Sequence, residues 1–229
     1  MILQYNIVIW MKNERLDMIF KNRADAGKLL ARKVSQYQDK NVLVLALPRG
    51  GIPVASEVSS RLNAELDIII TRKITSPENP ELAIGSVASD GIILLNHSLI
   101  FELGLTKDSI DSKVEQGKHE VKEYRKKYRG NNPFPEISNR TVLIVDDGIA
   151  TGYTIMAAAR AVLKRNPREL VIAVPVAPRN TIYKLKKLTR CEVISVLEPS
   201  DFIAVGQFYE DFSQVSDAEI RDILMNFNL

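Results

Sequence analysis

The sequence predicts an α/β chain built on an open, mostly parallel sheet flanked by helices. Two continuous apolar runs, 42–47 and 142–145, have the length and Val/Leu/Ile content of strands buried on both faces, and each leads through a small-residue turn into a helical stretch. A strand at 169–176, a short basic helix at 178–188 and a strand at 191–197 continue the alternation, the pattern of parallel strands joined by crossover helices. Composition agrees: 229 residues, 45% hydrophobic and 26% charged, suffice for one generous core. The 31 basic and 28 acidic side chains leave a formal charge of +3, too small for a dedicated nucleic-acid binder, so any positive field is local.

Taken in order, the first ten residues are apolar but too short to span a membrane, and they lack the charged start and cleavage site of a secretory signal. They are either an extra edge strand or, with Met11 as the true start, an addition to the folded chain. Residues 1–22 read as an N-terminal extension, 23–200 as the core with an inserted hairpin and a long charged helix, and 201–229 as a C-terminal hood or tail. Over 23–40, Ala26, Leu29, Leu30 and Val34 recur at helical spacing and predict a helix covering one face of the sheet. The run at 42–47 stops at Pro48, Arg49, Gly50 and Gly51, and a helix follows over 52–62. Adjacent glycines let a backbone approach an anion closely, and the Arg49 guanidinium is a fork of donors suited to phosphate.

A strand over 66–71 is expected to end at Arg72 and Lys73, followed by a polar, proline-rich loop over 75–81. Strands over 84–89 and 92–95 flank Asp90 and Gly91, a two-residue hairpin signal. Thr106 caps a helix running to Arg129, whose apolar stripe of Ile110, Val114, Val121, Tyr124 and Tyr128 is narrow. Its C-terminal half carries Lys118, Lys122, Arg125, Lys126, Lys127 and Arg129; this basic face suits the helix dipole and is either solvated or in contact with phosphate, nucleic acid or a second subunit. The one cysteine, Cys191, forms no internal disulfide and reads as a packing residue suited to a reducing cytoplasm. His97 and His119, the two histidines, are too isolated for a zinc site and read as surface residues. The aromatic stretch 202–212 serves core packing, a dimer contact or stacking on a planar acceptor, and Ser216 opens a last helix.

Chemistry concentrates where the 142–145 run ends, in Asp146, Asp147, Gly148, Ile149, Ala150, Thr151, Gly152, Tyr153 and Thr154, ahead of an alanine-rich helix. A helix N-terminus there presents unpaired N–H groups at the positive end of the dipole, with two threonine hydroxyls and a glycine that permits close approach. A phosphate fits that turn. Two carboxylates beside it would repel the phosphate unless they face something else, and cis-hydroxyls are the economical answer; a ribose 5-phosphate carries both groups.

The same stretch resembles the signature of the type I phosphoribosyltransferases: an apolar strand, two acids, two variable residues, a small residue, Thr or Ser, Gly, any residue, and Thr or Ser. The resemblance extends over about 42–197 and implies that family's fold, with a flexible hairpin loop and a small hood. It implies exchange of the pyrophosphate of phosphoribosyl pyrophosphate for a nitrogen acceptor, a nucleobase or related compound. Gly148 to Thr154 would hold the 5-phosphate. Pro48, Arg49, Gly50 and Gly51, with Arg72 and Lys73, would hold pyrophosphate, the turn often through a cis peptide. Asp146, Asp147, Arg49 and Lys73 would form the catalytic set, with Mg²⁺ held by Asp146 and Asp147 through water. A cytoplasmic homodimer with no nucleic-acid or membrane partner is the implied setting. Ala150 stands where the 6-oxopurine enzymes carry an aspartate, so hypoxanthine and guanine are expected to be poor acceptors. The alternative is a non-catalytic regulator that senses phosphoribosyl pyrophosphate and binds nucleic acid through residues 122–129.

Overall fold

A computed structural model describes residues 19–80, 82–89, 91–130 and 132–229; the apolar start and the Met11 question lie outside the described residues. The strands are β1 (Val42–Ala46), β2 (Glu65–Ile68), β3 (Thr71–Thr75), β4 (Ala83–Ala88), β5 (Ile93–Leu95), β6 (Thr141–Val145), β7 (Glu169–Val176) and β8 (Glu192–Leu197). The helices are α1 (Arg23–Lys33), α2 (Gly51–Leu62), α3 (His97–Glu102), α4 (Lys107–Arg129), α5 (Tyr153–Leu163), α6 (Arg179–Thr189) and α7 (Asp217–Met225). Five strands form a sheet in the order β2-β1-β6-β7-β8, with every pairing parallel. The predicted open parallel sheet flanked by helices is therefore the observed one.

The apolar runs are continuous because both sheet faces are covered. Alternate residues of a strand point to opposite faces, so Val44, Ala46, Leu143 and Val145 enter one core with Leu30 of α1 and Val54 and Val58 of α2. Leu43, Leu45, Val142 and Ile144 enter the other, with Ile155 and Ala158 of α5 and Leu185 of α6. Burying one such Leu, Ile or Val side chain contributes about 1.5–3 kcal/mol.

The second expected strand divides in two. β2 ends at Ile68, the chain leaves the parallel sheet, and Arg72 and Lys73 lie within β3, which pairs antiparallel with β4 in a separate sheet, β3-β4-β5. Ile68, Ile69 and Ile70 are all buried, so an unbroken apolar run hides the boundary. The hairpin joining β4 to β5 is present, but Val87 pairs with Ile93 and the Ala88 amide donates to the Ile92 carbonyl at 2.8 Å, so its connection is one residue longer than the two expected and ends on Gly91 at φ +84°. α4 begins after Thr106, whose Oγ1 accepts from the Ser109 amide at 3.3 Å, and stops at Gly130, φ +56°. α3 is not anticipated by the sequence reading; Asn96 caps it by accepting from the Leu99 amide at 3.2 Å. Cys191 is buried and His97 and His119 are exposed, as read from the sequence.

Candidate active site

β1 and β6 are parallel neighbours with Ala46 opposite Val145, so the turns that follow them emerge side by side at the carboxyl edge of the sheet, where open sheets of this kind place ligands. The first turn is tied to the second strand by the Leu47 amide, which donates to the Val145 carbonyl at 2.9 Å, and its Pro48–Arg49 peptide is cis. A Cβ on Gly50 would stand 1.9 Å from Asp147 Oδ2, and one on Gly51 would stand 2.7 Å from the Val145 carbonyl oxygen. Only a residue without a side chain lets these two turns interlock.

The turn from Gly148 to Thr154 bounds a cavity of about 220 Å³, with Asp146 and Lys73 on its polar rim and Val205 from the C-terminal segment closing one side. Two bonds hold the turn from behind: the Ile149 amide donates to the Val176 carbonyl at 2.9 Å, and Thr181 Oγ1 donates to the Ala150 carbonyl at 2.8 Å. Gly152 precedes α5 at φ +83°, a conformation that other residues reach only with strain. Tyr153 is the exception within the turn. Its hydroxyl accepts from Asn96 Nδ2 at 2.9 Å, so the side chain joins the turn to the end of β5.

The two acids are held differently. Asp146 Oδ1 accepts from the Asp147 amide at 2.9 Å, and its side chain borders the cavity. Asp147 Oδ2 instead accepts from Arg23 Nε at 2.8 Å, while Tyr209 donates its hydroxyl to the Asp147 carbonyl at 2.6 Å. Arg23 also donates from Nη1 to the Ser213 carbonyl at 2.7 Å, and its guanidinium lies 4.0 Å from the centre of the Phe212 ring. Removal from water, then repulsion from Asp147, pushes the Asp146 carboxyl well above its ordinary pKa. Burial raises Asp147 too, and the Arg23 charge partly offsets it. Arg23 and Tyr209 carry no sequence signal of this role, because neither lies in a motif.

The three basic candidates separate. Lys73 borders the cavity, whereas Arg72, its neighbour on a strand and so on the opposite face, lies 3.6 Å from the centre of the Tyr124 ring and 3.7 Å from Glu120 of α4. Arg49 donates from Nη1 to the Val215 carbonyl at 2.9 Å, and neighbouring Tyr124 is the main influence holding its pKa up. The carboxyl edge of the parallel sheet thus gathers Asp146, Asp147 and the Arg49 turn, with Lys73 reaching it from the second sheet and Arg72 facing away. On the basic half of α4, Lys118 pairs with Glu115, Lys127 with Asp217 and Arg129 with Asp67. Lys127 and Tyr128 hold the Asp217 carboxyl down to about 2. The tail aromatics pack on one another: Phe202 on Phe208, and Tyr209 on Phe20 and Phe212.

The phosphoribosyl transferase domain profile matches residues 15–213. The chain belongs to the phosphoribosyl transferase domain family. Two curated relatives, "Putative phosphoribosyl transferase Rv0571c" of Mycobacterium tuberculosis strain H37Rv and "Putative phosphoribosyl transferase MT0597" of strain CDC 1551, are each 37% identical over 202 residues, 88% of this chain and 45% of theirs. This phosphoribosyl transferase domain therefore spans less than half the length of the curated relatives it matches. The crystal structure of the TT1426 protein from Thermus thermophilus superposes with a TM-score of 0.78 at 36% identity, covering 92% of this chain and 99% of that one. The AQ2163 protein of Aquifex aeolicus, at 12% identity and a TM-score of 0.51 over 80% of this chain and 78% of its own, shares the fold. No helix among the described residues is long and apolar enough to cross a membrane.

Proposed function

We propose that this domain transfers the 5-phosphoribosyl group of phosphoribosyl pyrophosphate to a nitrogen acceptor. The C1–O bond to pyrophosphate breaks, a C1–N bond forms, and the acceptor loses a proton. The observation that carries the reading is the single cavity in which an N–H-rich turn, a carboxylate and a lysine face one another. The 5-phosphate takes the amides and hydroxyls of Thr151 and Thr154, as suits the start of a helix. Asp146 accepts from the ribose hydroxyls, and its negative charge suits the positive charge that develops on the ring. Lys73 and the 48–51 turn receive the departing pyrophosphate.

Among the described residues no three His, Cys, Asp or Glu side chains gather into a metal cage. The residues present fit Mg²⁺, which keeps several waters and shares itself between one or two carboxylates and substrate phosphates. Asp146 and Asp147 would hold it, through water, and it would supply charge neutralisation of the pyrophosphate. An acidic pair whose ionisation is disfavoured by its own burial gains most from such a charge.

Ala150 carries only a methyl group, so general-base assistance of about 10²-fold is absent from this position, and the acceptor is a base other than hypoxanthine or guanine, or a compound already nucleophilic when neutral. Pyrophosphate release from phosphoribosyl pyrophosphate and Mg²⁺ across purines, pyrimidines and simple amines tests the proposal. Release with one acceptor class supports it. Tight binding of phosphoribosyl pyrophosphate with no release for any acceptor would replace catalysis by sensing.

A further inference from the structure

A second cavity, of about 330 Å³, shares no lining residue with the first. It opens at the joint between the two sheets, where Ile68 ends β2 and Ile70 precedes β3. Three arginines border it: Arg125 and Arg129 from successive turns of α4, and Arg165 from the turn after α5. Arg129 is structural. Its side chain is 3% exposed, pairs with the equally buried Asp67, and donates to the Asn132 and Pro133 carbonyls at 3.1 and 2.9 Å, which anchors the segment carrying Phe134. The Phe134 ring then lies 4.9 Å from the Arg129 guanidinium and 4.4 Å from that of Arg165.

Asp67 compensates Arg129, but Arg125 and Arg165 make no ion pair with an acid among the described residues. Two uncompensated guanidinium forks therefore face a concave, partly apolar space, an arrangement that concentrates anions and matches the oxygens of a phosphate. Ser89 adds a hydroxyl, and Ile68, Ile70 and Phe134 form an apolar floor. We propose that this cavity is a second binding site, specific for a small phosphorylated molecule whose phosphate meets Arg125 and Arg165 and whose less polar body lies on Ile68, Ile70 and Phe134. A nucleic-acid track is the less favoured occupant, since the two arginines border a concave cavity with an apolar floor rather than an open strip of basic side chains. The site does not depend on the transferase reading.

The test follows the arginine side-chain Nε–H signals of the full chain by NMR during titration with inorganic phosphate, adenosine 5′-monophosphate and adenosine. The nucleotide should move the Arg125 and Arg165 signals at lower concentration than inorganic phosphate, and adenosine should leave them unchanged. In Arg125→Ala/Arg165→Ala, with both residues exposed and the fold intact, this binding event should weaken at least tenfold while binding of phosphoribosyl pyrophosphate is retained. Nucleotide-induced shifts confined to residues 148–154, or equal affinity in wild type and double variant, would overturn the proposal. So would affinity that climbs with the length of an added oligonucleotide.

Discussion

Arg23→Ala probes the link between the acidic pair and the chain ends. The substitution removes the ion pair to Asp147, the hydrogen bond to the Ser213 carbonyl and the guanidinium over Phe212 together. Stranding one partner of a fully buried pair costs about 3–5 kcal/mol, but these side chains are 12% and 15% exposed and Asp147 escapes part of the cost by taking a proton. The net expectation is about 3 kcal/mol, which for a chain of this size lowers Tm by roughly 6–12 °C. Urea unfolding of wild type, Arg23→Ala, Asp147→Asn and the double variant at pH 7 isolates the coupling. Asparagine needs no counter-charge, so the double variant should recover about 1–3 kcal/mol relative to the sum of the singles. Additivity within about 0.5 kcal/mol would show that Arg23 stabilises the tail without acting on Asp147.

Three further outcomes follow from the same geometry. Asp146 has a folded-state pKa above its unfolded one, so ionising it costs stability as pH rises from about 4 toward the folded value, and the whole cost is present above that. Asp146→Asn should therefore raise Tm of the ligand-free protein at pH 7 and flatten its decline over that window, yet abolish the stabilisation given by phosphoribosyl pyrophosphate with Mg²⁺; a fall in ligand-free Tm would contradict this. Lys73→Ala should weaken phosphoribosyl pyrophosphate by about tenfold or more in calorimetry, the worth of one charge-assisted hydrogen bond, whereas Arg72→Ala should leave affinity unchanged and cost stability through lost stacking on Tyr124. Gly50→Ala places a methyl against Asp147 Oδ2, and the displacement needed to relieve it should lower kcat/KM by about 10²-fold, read in the pyrophosphate-release assay.

What could be read from the sequence was whatever local pattern encodes. The parallel strands follow from continuous apolar runs, α4 from one threonine cap and a spaced stripe, and the 146–154 turn from an unbroken motif. The division between β2 and β3 was hidden because three consecutive buried isoleucines satisfy either a double-faced strand or the exit from one. The same boundary decides Arg72: adjacent residues within β3 diverge to opposite faces, so Lys73 borders the cavity and Arg72 packs on Tyr124.

The partners of Asp147 were hidden for another reason. Arg23 lies 124 residues away and Tyr209 62 residues away, on segments whose periodicity reports only that one is helical and the other aromatic. The motif treats its two acids as equivalent, but successive residues leaving a strand point to opposite sides. One such alternation turns Asp146 toward the cavity and Asp147 toward the protein, where Arg23 and Tyr209 bind it to both ends of the described chain. A ligand that draws on Asp147 must compete with Arg23. Occupancy of the cavity should therefore be coupled to the 206–217 segment, and hydrogen exchange across the amides of that segment with and without phosphoribosyl pyrophosphate reads the coupling: a change in protection is expected, and identical rates throughout would mean that the Arg23 contact to the Ser213 carbonyl persists in the complex.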